Sequence, residues 1–245
     1  ATGEDEVQLT NGDRVQGRLV GITPESVVVE SEATGTLKIA RSMVRRINLA
    51  GSKSTLLETD FSRGTMDPWV TVVGSWSISE GALVCGDGSS NTVAADLEQT
   101  EPLTLEVEVA AEEGRDLQCE MVLFCDSTRN RYGRNSLVAR IGSYDYELRT
   151  VSNGGTMHVT GGSMGRERFR QGVIRFAYDP TGNKAKLWTN SSSLGEFDVP
   201  QAPRTGEKIM FTSRAACKVT AIRVLQGTVP PGSQENASSR ETDVV

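Results

Sequence analysis

The sequence predicts an all-β protein with two β domains. Apolar and polar residues alternate in short runs along most of the chain, which is the period of a half-buried β-strand. Glycine supplies 25 of the 245 residues, and turn signals recur roughly every ten residues through the larger part of the chain. This spacing is typical of small barrels and two-layer sandwiches and leaves little room for long helices.

Residues 1–50 are predicted to form a small barrel of five short strands. The run VQLTNGDRVQGRLVGI holds two alternating segments joined by Asn11-Gly12-Asp13, and Asn and Gly tolerate the positive φ angles of a tight hairpin. The strands SVVVES, TLKIA and MVRRINL follow. Five strands in about 45 residues bury little as an open sheet, so we expect the sheet to close. These segments resemble the SH3-like or Sm-like barrel at the front of many bacterial exported proteins, over residues 5–49.

Residues 56–226 are predicted to form a second, larger β unit, joined to the first by the polar linker 51–55. Its segments GSWSISEGALVCG, LTLEVEVA, YDYELRTV, VIRFAYDPTGNKAKLWTN and KVTAIRVL resemble the concanavalin A-like lectin and glucanase superfold, laminin G modules included. The resemblance spans about 170 residues and implies a jelly-roll β-sandwich. Strand alternation places Trp76 and Trp188 in its core.

Residues 227–245 are predicted to be an extended tail that is disordered on its own, because they are rich in Pro, Gly, Ser and Glu. The last five residues, ETDVV, echo the start of the barrel, EDEVQL. Strand-like residues at a chain end can pair with the sheet edge of another copy, so Asp243, Val244 and Val245 are the predicted assembly residues. The alternative is a flexible tail, or a cut before a following repeat.

Charge and hydropathy exclude two classes of partner. The chain has 26 Lys and Arg against 32 Asp and Glu, a net charge of −6, which argues against a nucleic-acid-binding protein. The barrel also has few basic or aromatic side chains suited to stacking RNA bases. No run of 18 apolar residues is present, so no membrane span is predicted.

The predicted location is secreted or at the cell surface. The chain begins at Ala1 without an initiator Met, which indicates either a removed signal peptide or a trimmed start. The triplets Asn190-Ser-Ser and Asn236-Ala-Ser lie in polar loops, and a long β pattern suits a secreted module.

Four cysteines, Cys85, Cys119, Cys125 and Cys217, are disulfide candidates without zinc spacing. Cys119 and Cys125 share the predicted strand QCEMVLFC, where six residues at about 3.3 Å each put them about 20 Å apart. They therefore cannot bridge each other. Two disulfide connectivities remain, 85–119 with 125–217 or 85–125 with 119–217, beside the alternative of four reduced core thiols.

Acidic residues that share a strand face are the candidate catalytic groups. Glucanases of the superfold carry closely spaced acids in patterns such as E-x-D-x-E, and carboxylate spacing sets the stereochemical outcome. Glu106 and Glu108 share a face but lack the central Asp, so alternation explains them as the solvent face of a half-buried strand. Glu120 and the pair Asp145 and Glu147 have the same ambiguity. No catalytic residue is assigned.

The pattern W-x-I-x-x-G-x-L followed later by Tyr-Glu-Leu is similar to bacterial 3-keto-disaccharide hydrolase-like domains. This resemblance implies that Glu147 faces a cleft. The family's NSGxxxR segment has Asn135-Ser136 followed by Arg140 as its nearest match. A histidine-based triad is not predicted, because the single histidine, His158, alternates with apolar residues on a strand surface.

Arginine clusters beside aromatic rings are the candidate ligand-binding loops. RNRYGR places Arg131 and Arg134 beside Tyr132, and GRERFRQ repeats the pattern at residues 165–171. Such arginines stack on sugars or pair with acidic glycans, although a solvated loop is the alternative. The predicted ligand-binding set consists of Arg131, Tyr132, Arg134 and Glu147.

No cofactor is predicted, with calcium as the metal to expect if one binds. The loops at residues 87–91 and 179–183 combine Asp, Asn and hydroxyl oxygens, which calcium prefers. Plain turns explain both loops equally well.

The sequence thus predicts a non-enzymatic, exported structural protein that acts by adhesion or self-assembly, forming homo-oligomers or filaments. The alternative is a glycan-binding module or a 3-keto-disaccharide hydrolase-like glycosidase.

Overall fold

The computed structural model describes residues 5–23, 25–31, 34–48, 55–88, 90–99, 102–128, 132–165, 168–200, 202–203 and 206–230. The chain divides into two compact units, with the boundary between Ser54 and Thr55. Both units consist of antiparallel β-sheet, which confirms the predicted all-β class. The described ranges contain one 3₁₀ turn, Arg41–Met43, and no helix long or apolar enough to cross a membrane.

The first unit is a five-stranded sheet. Its strands are β1 (Asp5–Leu9), β2 (Arg14–Ile22), β3 (Ser26–Ser31), β4 (Gly35–Ala40) and β5 (Val44–Asn48). They run in the order β4, β3, β2, β1, β5 around a small core of Val7, Val27, Val29 and Ile39. The predicted Asn-Gly hairpin joins β1 to β2, and Gly12 has the positive φ of 93° that such a turn requires. Closure of this sheet into an SH3-like or Sm-like barrel remains a prediction.

The second unit is a sandwich of a seven-stranded and an eight-stranded sheet. The seven-stranded sheet contains β7 (Val70–Val73), β10 (Asn91–Gln99), β12 (Gln118–Cys125), β13 (Ser136–Gly142), β14 (Asp145–Ser152), β15 (Gly155–Ser163) and β19 (Gly206–Ser213). The eight-stranded sheet contains β6 (Thr55–Thr59), β8 (Ser77–Ser79), β9 (Ala82–Cys85), β11 (Leu103–Ala111), β16 (Gln171–Asp179), β17 (Lys184–Thr189), β18 (Ser192–Asp198) and β20 (Cys217–Gln226). The first strand of this unit, β6, pairs with the last, β20.

Strand alternation builds the core between the two sheets. On β11, Leu105, Val107 and Val109 point inward and are at most 2% exposed. Trp76 lies in the same core, with its ring 6.1 Å from that of Phe211, as predicted. Trp188 is buried, as predicted, but it is not part of this cluster, because its strand neighbours Ala185 and Leu187 occupy the inward positions.

A bulge at Phe124 brings two consecutive side chains of β12 into the core. Phe124 has a φ of 55°, and the register of β12 against β19 shifts there. Its ring meets that of Tyr178 edge to face, with centroids 5.5 Å apart. Gly206 of β19 lies directly against the Phe124 backbone, where a Cβ atom would overlap main-chain atoms.

The outer face of the eight-stranded sheet carries a row of alternating charges. Arg223 Nη1 donates to Glu106 Oε1 at 2.7 Å, and Arg175 Nε donates to Glu106 Oε2 at 2.6 Å. Arg223 also reaches Glu58 at 2.8 Å, so the row crosses four neighbouring strands. Glu106 and Glu108 were both expected to face solvent. Glu108 is exposed, as expected, but Glu106 is only 2% exposed, because its two arginine partners cover it.

Residues 227–230, which were predicted to begin the tail, are hydrogen-bonded to the sandwich. Gly227 N donates to Pro102 O at 2.6 Å, and Thr104 Oγ1 donates to Gly227 O at 2.7 Å. Val229 N donates to Thr104 Oγ1 at 2.9 Å, and the Val229 side chain is buried. Residues 231–245, with the predicted assembly residues Asp243, Val244 and Val245, lie outside the described residues, so tail-mediated assembly stays a prediction.

Candidate functional site

The outer face of the seven-stranded sheet has an apolar centre. Strand β12 sends Cys119, Met121 and Leu123 into the core, which leaves Glu120 and Val122 on the opposite face. The same alternation on neighbouring strands assembles a buried apolar cluster on this outer face, consisting of Ala94, Val122, Cys125, Val138, Val151 and Met210. A sheet face buried in this way must be covered by another part of the chain.

The connection between β12 and β13, described at residues 126–128 and 132–135, supplies part of that cover. Tyr132 packs against the apolar cluster. The Asp126 carboxylate holds the two ends of the connection together, since it accepts hydrogen bonds from Arg134 N at 2.7 Å and Asn135 Nδ2 at 2.9 Å. Gly133 has a φ of 65°, and a Cβ atom there would overlap the Asp126 carboxylate and the Cys125 sulfur.

Glu120 is the buried centre of a polar network beside this cluster. Its side chain is 1% exposed and accepts hydrogen bonds from three described side chains. Tyr132 Oη donates to Oε2 at 2.7 Å, and the guanidinium groups of Arg149 and Arg214 donate to Oε1 at 2.9 and 3.2 Å. Arg149 also donates to Tyr132 Oη and lies over the tyrosine ring, 4.7 Å from its centroid. A buried carboxylate needs such partners, and here they fix it in one position.

Glu147 carries the network from this buried centre to the surface. Its side chain is 26% exposed, and its carboxylate contacts Arg140 Nε at 3.1 Å and His158 Nδ1 at 3.3 Å. Burial alone would raise the pKa of the Glu147 carboxyl. The hydrogen bonds from His158 and Arg140, with the charges of the neighbouring guanidinium groups, outweigh burial and hold this pKa below its usual range.

The structure brings together part of the predicted ligand-binding set. Tyr132 and Glu147 meet the same arginine, Arg149, although they are remote from each other in sequence. Arg134 is exposed, and its backbone is held by hydrogen bonds to the Asp126 carboxylate and from Gly154 N. Arg131 lies outside the described residues. His158 lies on the surface of β15, as predicted, and its side chain is 61% exposed.

Sequence analysis missed Arg149 and Arg214, and it left Glu120 as an ambiguous strand residue. A signal was present in QCEMVLFC, where Glu120 is the one charged residue and both strand faces are otherwise apolar after the first residue, Gln118. A lone acid in a doubly apolar strand is a buried charge, and a buried charge requires cationic partners.

A cleft lies at one end of the sandwich, beside residues 168–171 of the GRERFRQ segment. This cleft has a volume of about 630 Å³ and is lined in part by Arg170, Gln171, Asn190 and Ser192. Arg170 donates to the Glu112 carbonyl at 3.3 Å and forms no ion pair with any carboxylate in the described ranges.

The oxygen-rich loops have structural partners. Asp87 pairs with Arg115 and accepts a hydrogen bond from Ala216 N at 3.2 Å. Asp179 accepts a hydrogen bond from Thr181 N at 2.8 Å inside the β16–β17 hairpin. Within the described part of the chain, no three His, Cys, Asp or Glu side chains gather as a metal-ligand set.

The cysteines form neither of the two predicted disulfide connectivities. Cys119 and Cys125 share β12, as expected. However, Cys85 lies opposite Cys217, with their Sγ atoms 3.6 Å apart, and all four thiols are free. Cys125 lies in the outer-face cluster, so it is separated from Cys85 by the core. The structure thus agrees with the alternative of four reduced, buried thiols. Both predicted disulfide connectivities left out the pair that the fold places in contact, because they required all four cysteines to be bonded.

Comparisons with solved structures identify the fold of the larger unit. No protein-family model matches the chain, and no curated protein matches its sequence. The carbohydrate-binding module CBM66 from Bacillus subtilis aligns at 10% identity, with a TM-score of 0.52, over 64% of this chain and 95% of its own.

The Emp46p carbohydrate recognition domain aligns at 13% identity, with a TM-score of 0.55, over 71% of this chain and 97% of its own. A Bacillus licheniformis β-glucanase aligns at 12% identity, with a TM-score of 0.51, over 71% and 99%. The larger unit therefore has the jelly-roll β-sandwich fold that these carbohydrate-binding and glucan-cleaving proteins share.

Proposed function

We propose that the sandwich binds neutral carbohydrate, without cleaving it, at the outer-face network of the seven-stranded sheet. The observation that carries this proposal is Glu147, a half-buried and ionised carboxylate placed beside the Arg140 guanidinium. A carboxylate accepts hydrogen bonds and a guanidinium donates them. Neighbouring sugar hydroxyls both donate and accept, so one hydroxyl pair satisfies both groups at once.

The buried end of the network gives this surface its rigidity. Arg149 is held by Glu120 and Tyr132 and lies within 3.9 Å of Glu147. A binding group whose neighbours are locked loses little conformational freedom when it binds a ligand.

The charge balance favours a neutral ligand. Among the described side chains, three arginines face three carboxylates: Arg140, Arg149 and Arg214 against Glu120, Asp145 and Glu147. An acidic sugar would meet no net positive charge at this network, whereas the hydroxyls of a neutral sugar need none.

The pKa of Glu147 and the hydrogen bonds of Glu120 favour binding over hydrolysis. A glycosidase needs one carboxyl with a raised pKa as general acid. The pKa of Glu147 is lowered instead, and Glu120 is committed to three donors. The structural neighbours include both binding proteins and a glucanase, so they support carbohydrate recognition in general. A carbohydrate-binding role also agrees with a secreted or cell-surface location, which we retain as part of the proposal.

Titration of the full chain with neutral and acidic oligosaccharides, soluble β-glucan fragments among them, tests the proposal. Glu147→Gln and Arg140→Gln should each weaken binding by about tenfold or more, because each removes a hydrogen bond to a charged group. Glu108→Gln, an exposed acid on the other sheet, is the matched control and should bind normally.

Three results would contradict the proposal. A preference for acidic glycans would remove the neutral ligand, and release of reducing ends that Glu147→Gln abolishes would show a glycosidase. Binding that is lost in Arg170→Gln but kept in Glu147→Gln would move the site to the end cleft.

A further inference from the structure

Two of the four cysteines are direct partners in the eight-stranded sheet. Cys85 ends β9 and Cys217 begins β20, and the two residues face each other in antiparallel register with their Sγ atoms 3.6 Å apart. Opposite residues of antiparallel strands have Cα atoms about 4.5–5.5 Å apart. A disulfide needs Cα atoms about 4.4–6.8 Å apart, so this pair can be bridged by side-chain rotation alone.

The other two cysteines lack this arrangement. Cys119 is fully buried in the core, and burial raises the pKa of its thiol. Cys125 lies on the far face of the seven-stranded sheet, where its thiol donates to Ser127 O at 3.0 Å. Cys85 is the most exposed of the four, at 7% of its surface.

The two partners also differ in chemical role. The hydrogen bond with Cys217 lowers the pKa of the Cys85 thiol, because a donated S–H stabilises the neighbouring thiolate. The same interaction raises the pKa of Cys217, as does burial. Cys85 is also the more exposed of the two, at 7% against 4%, so the attacking thiolate of the proposed reaction is assigned to Cys85 and the resolving thiol to Cys217.

We propose that Cys85 and Cys217 are a disulfide-forming site whose oxidant is a small hydroperoxide. The Cys85 thiolate attacks the peroxide oxygen, the O–O bond breaks, and hydroxide or alkoxide leaves with a proton to give a sulfenic acid at Cys85. The Cys217 sulfur then attacks the Cys85 sulfur: an S–S bond forms, the S–O bond of the sulfenic acid breaks, and its hydroxyl leaves as water with the Cys217 proton. Overall, two thiols lose two electrons and two protons, and one peroxide is reduced to water and an alcohol or to two waters.

The disulfide would link two residues that are far apart in sequence but already adjacent in the fold, so it requires no movement of the backbone. The two cysteines are 132 positions apart in sequence but neighbours in one sheet. Cross-linking them restricts the unfolded chain and leaves the folded register intact. Oxidation should therefore raise the melting temperature of the sandwich by roughly 5–10 °C.

Stoichiometric hydrogen peroxide on the folded full-length protein tests this site. We expect the loss of two thiols, a mass decrease of two hydrogens, and one cross-linked peptide pair containing Cys85 and Cys217. Cys217→Ser should stop at a sulfenic acid on Cys85 that a cyclic dione traps. The control Cys125→Ser should form the disulfide normally.

Other outcomes overturn the proposal. A cross-link that contains Cys119 or Cys125 would assign a different pair. Four unreacted thiols in the folded protein, with oxidation only after denaturation, would show that peroxide does not reach the site. A sulfenic acid trapped first on Cys217 would reverse the assigned roles. None of these outcomes depends on whether the protein binds carbohydrate.

Discussion

Replacing Glu106 by alanine should destabilise the sandwich more than the same replacement at an exposed residue of β11. Glu106 is 2% exposed and lies between two arginines. After the change, Arg223 keeps Glu58, but Arg175, at 12% exposure, loses the carboxylate to which it donates. Breaking a buried ion pair costs about 3–5 kcal/mol, and because one arginine keeps a partner we expect about 3 kcal/mol. For a unit of this size, that loss corresponds to a fall in melting temperature of about 6–12 °C.

Tryptophan fluorescence during heating measures this change selectively, because all three tryptophans, Trp69, Trp76 and Trp188, lie in the sandwich. Glu108→Ala is the matched control: it lies two residues further along the same strand face, is exposed, and should change stability by less than about 0.5 kcal/mol. Equal melting temperatures for the two variants would refute the argument that Glu106 holds the charged row together.

The same comparison separates stability from function. Glu106→Ala should retain carbohydrate binding at the opposite sheet, whereas Glu147→Gln should lose binding and retain most of its stability. Replacing both members of the buried pair, as in Glu106→Leu with Arg175→Met, should recover part of the lost stability, because no unpaired charge is then left buried. A double variant less stable than Glu106→Ala would contradict this account.

Three further predictions concern pH, packing and assembly. Because the pKa of Glu147 is lowered on folding, its ionised form stabilises the folded protein above the ordinary glutamate pKa, and this contribution is lost as the pH falls through the lowered value. The stability difference between wild type and Glu147→Gln in urea unfolding should therefore be present at pH 7 and shrink in acid, and a constant difference would contradict this. Gly206→Ala should destabilise by about 3 kcal/mol because its Cβ meets the Phe124 backbone, whereas Gly86→Ala, with open space around it, should be nearly neutral in the same assay. If the tail drives assembly, light scattering should show large particles for the full chain and monomers for a chain that ends at Pro230. Monomers in both cases would remove that prediction.

Strand periodicity was enough to predict most of the fold. The run LTLEVEVA has one apolar face, and the structure places that face in the core. Periodicity also put Cys119 and Cys125 on one strand. It could not show which strands are neighbours, because pairing partners such as β9 and β20 are more than a hundred residues apart. The contact of Cys85 with Cys217 depends on that pairing and was therefore missed.

The candidate site was only partly predictable for a related reason. Alternation shows that Glu120 and Glu106 point away from the core, but it does not show what lies above them. Tyr132 covers Glu120 from a loop, and two arginines from neighbouring strands cover Glu106. Burial of an outward-facing residue depends on these tertiary contacts, so a local pattern assigns such residues to solvent by default.

The pairing of β6 with β20 has a practical consequence for engineering. Thr55, at the start of the sandwich, is the register partner of Leu225, near its end, so the chain enters and leaves this unit side by side. A unit with adjacent ends can be placed within a surface loop of another protein without pulling its host apart, and it can be circularly permuted by joining those ends and opening a turn such as Asn153-Gly154. The sandwich is therefore suited to insertion into another protein as an independent unit.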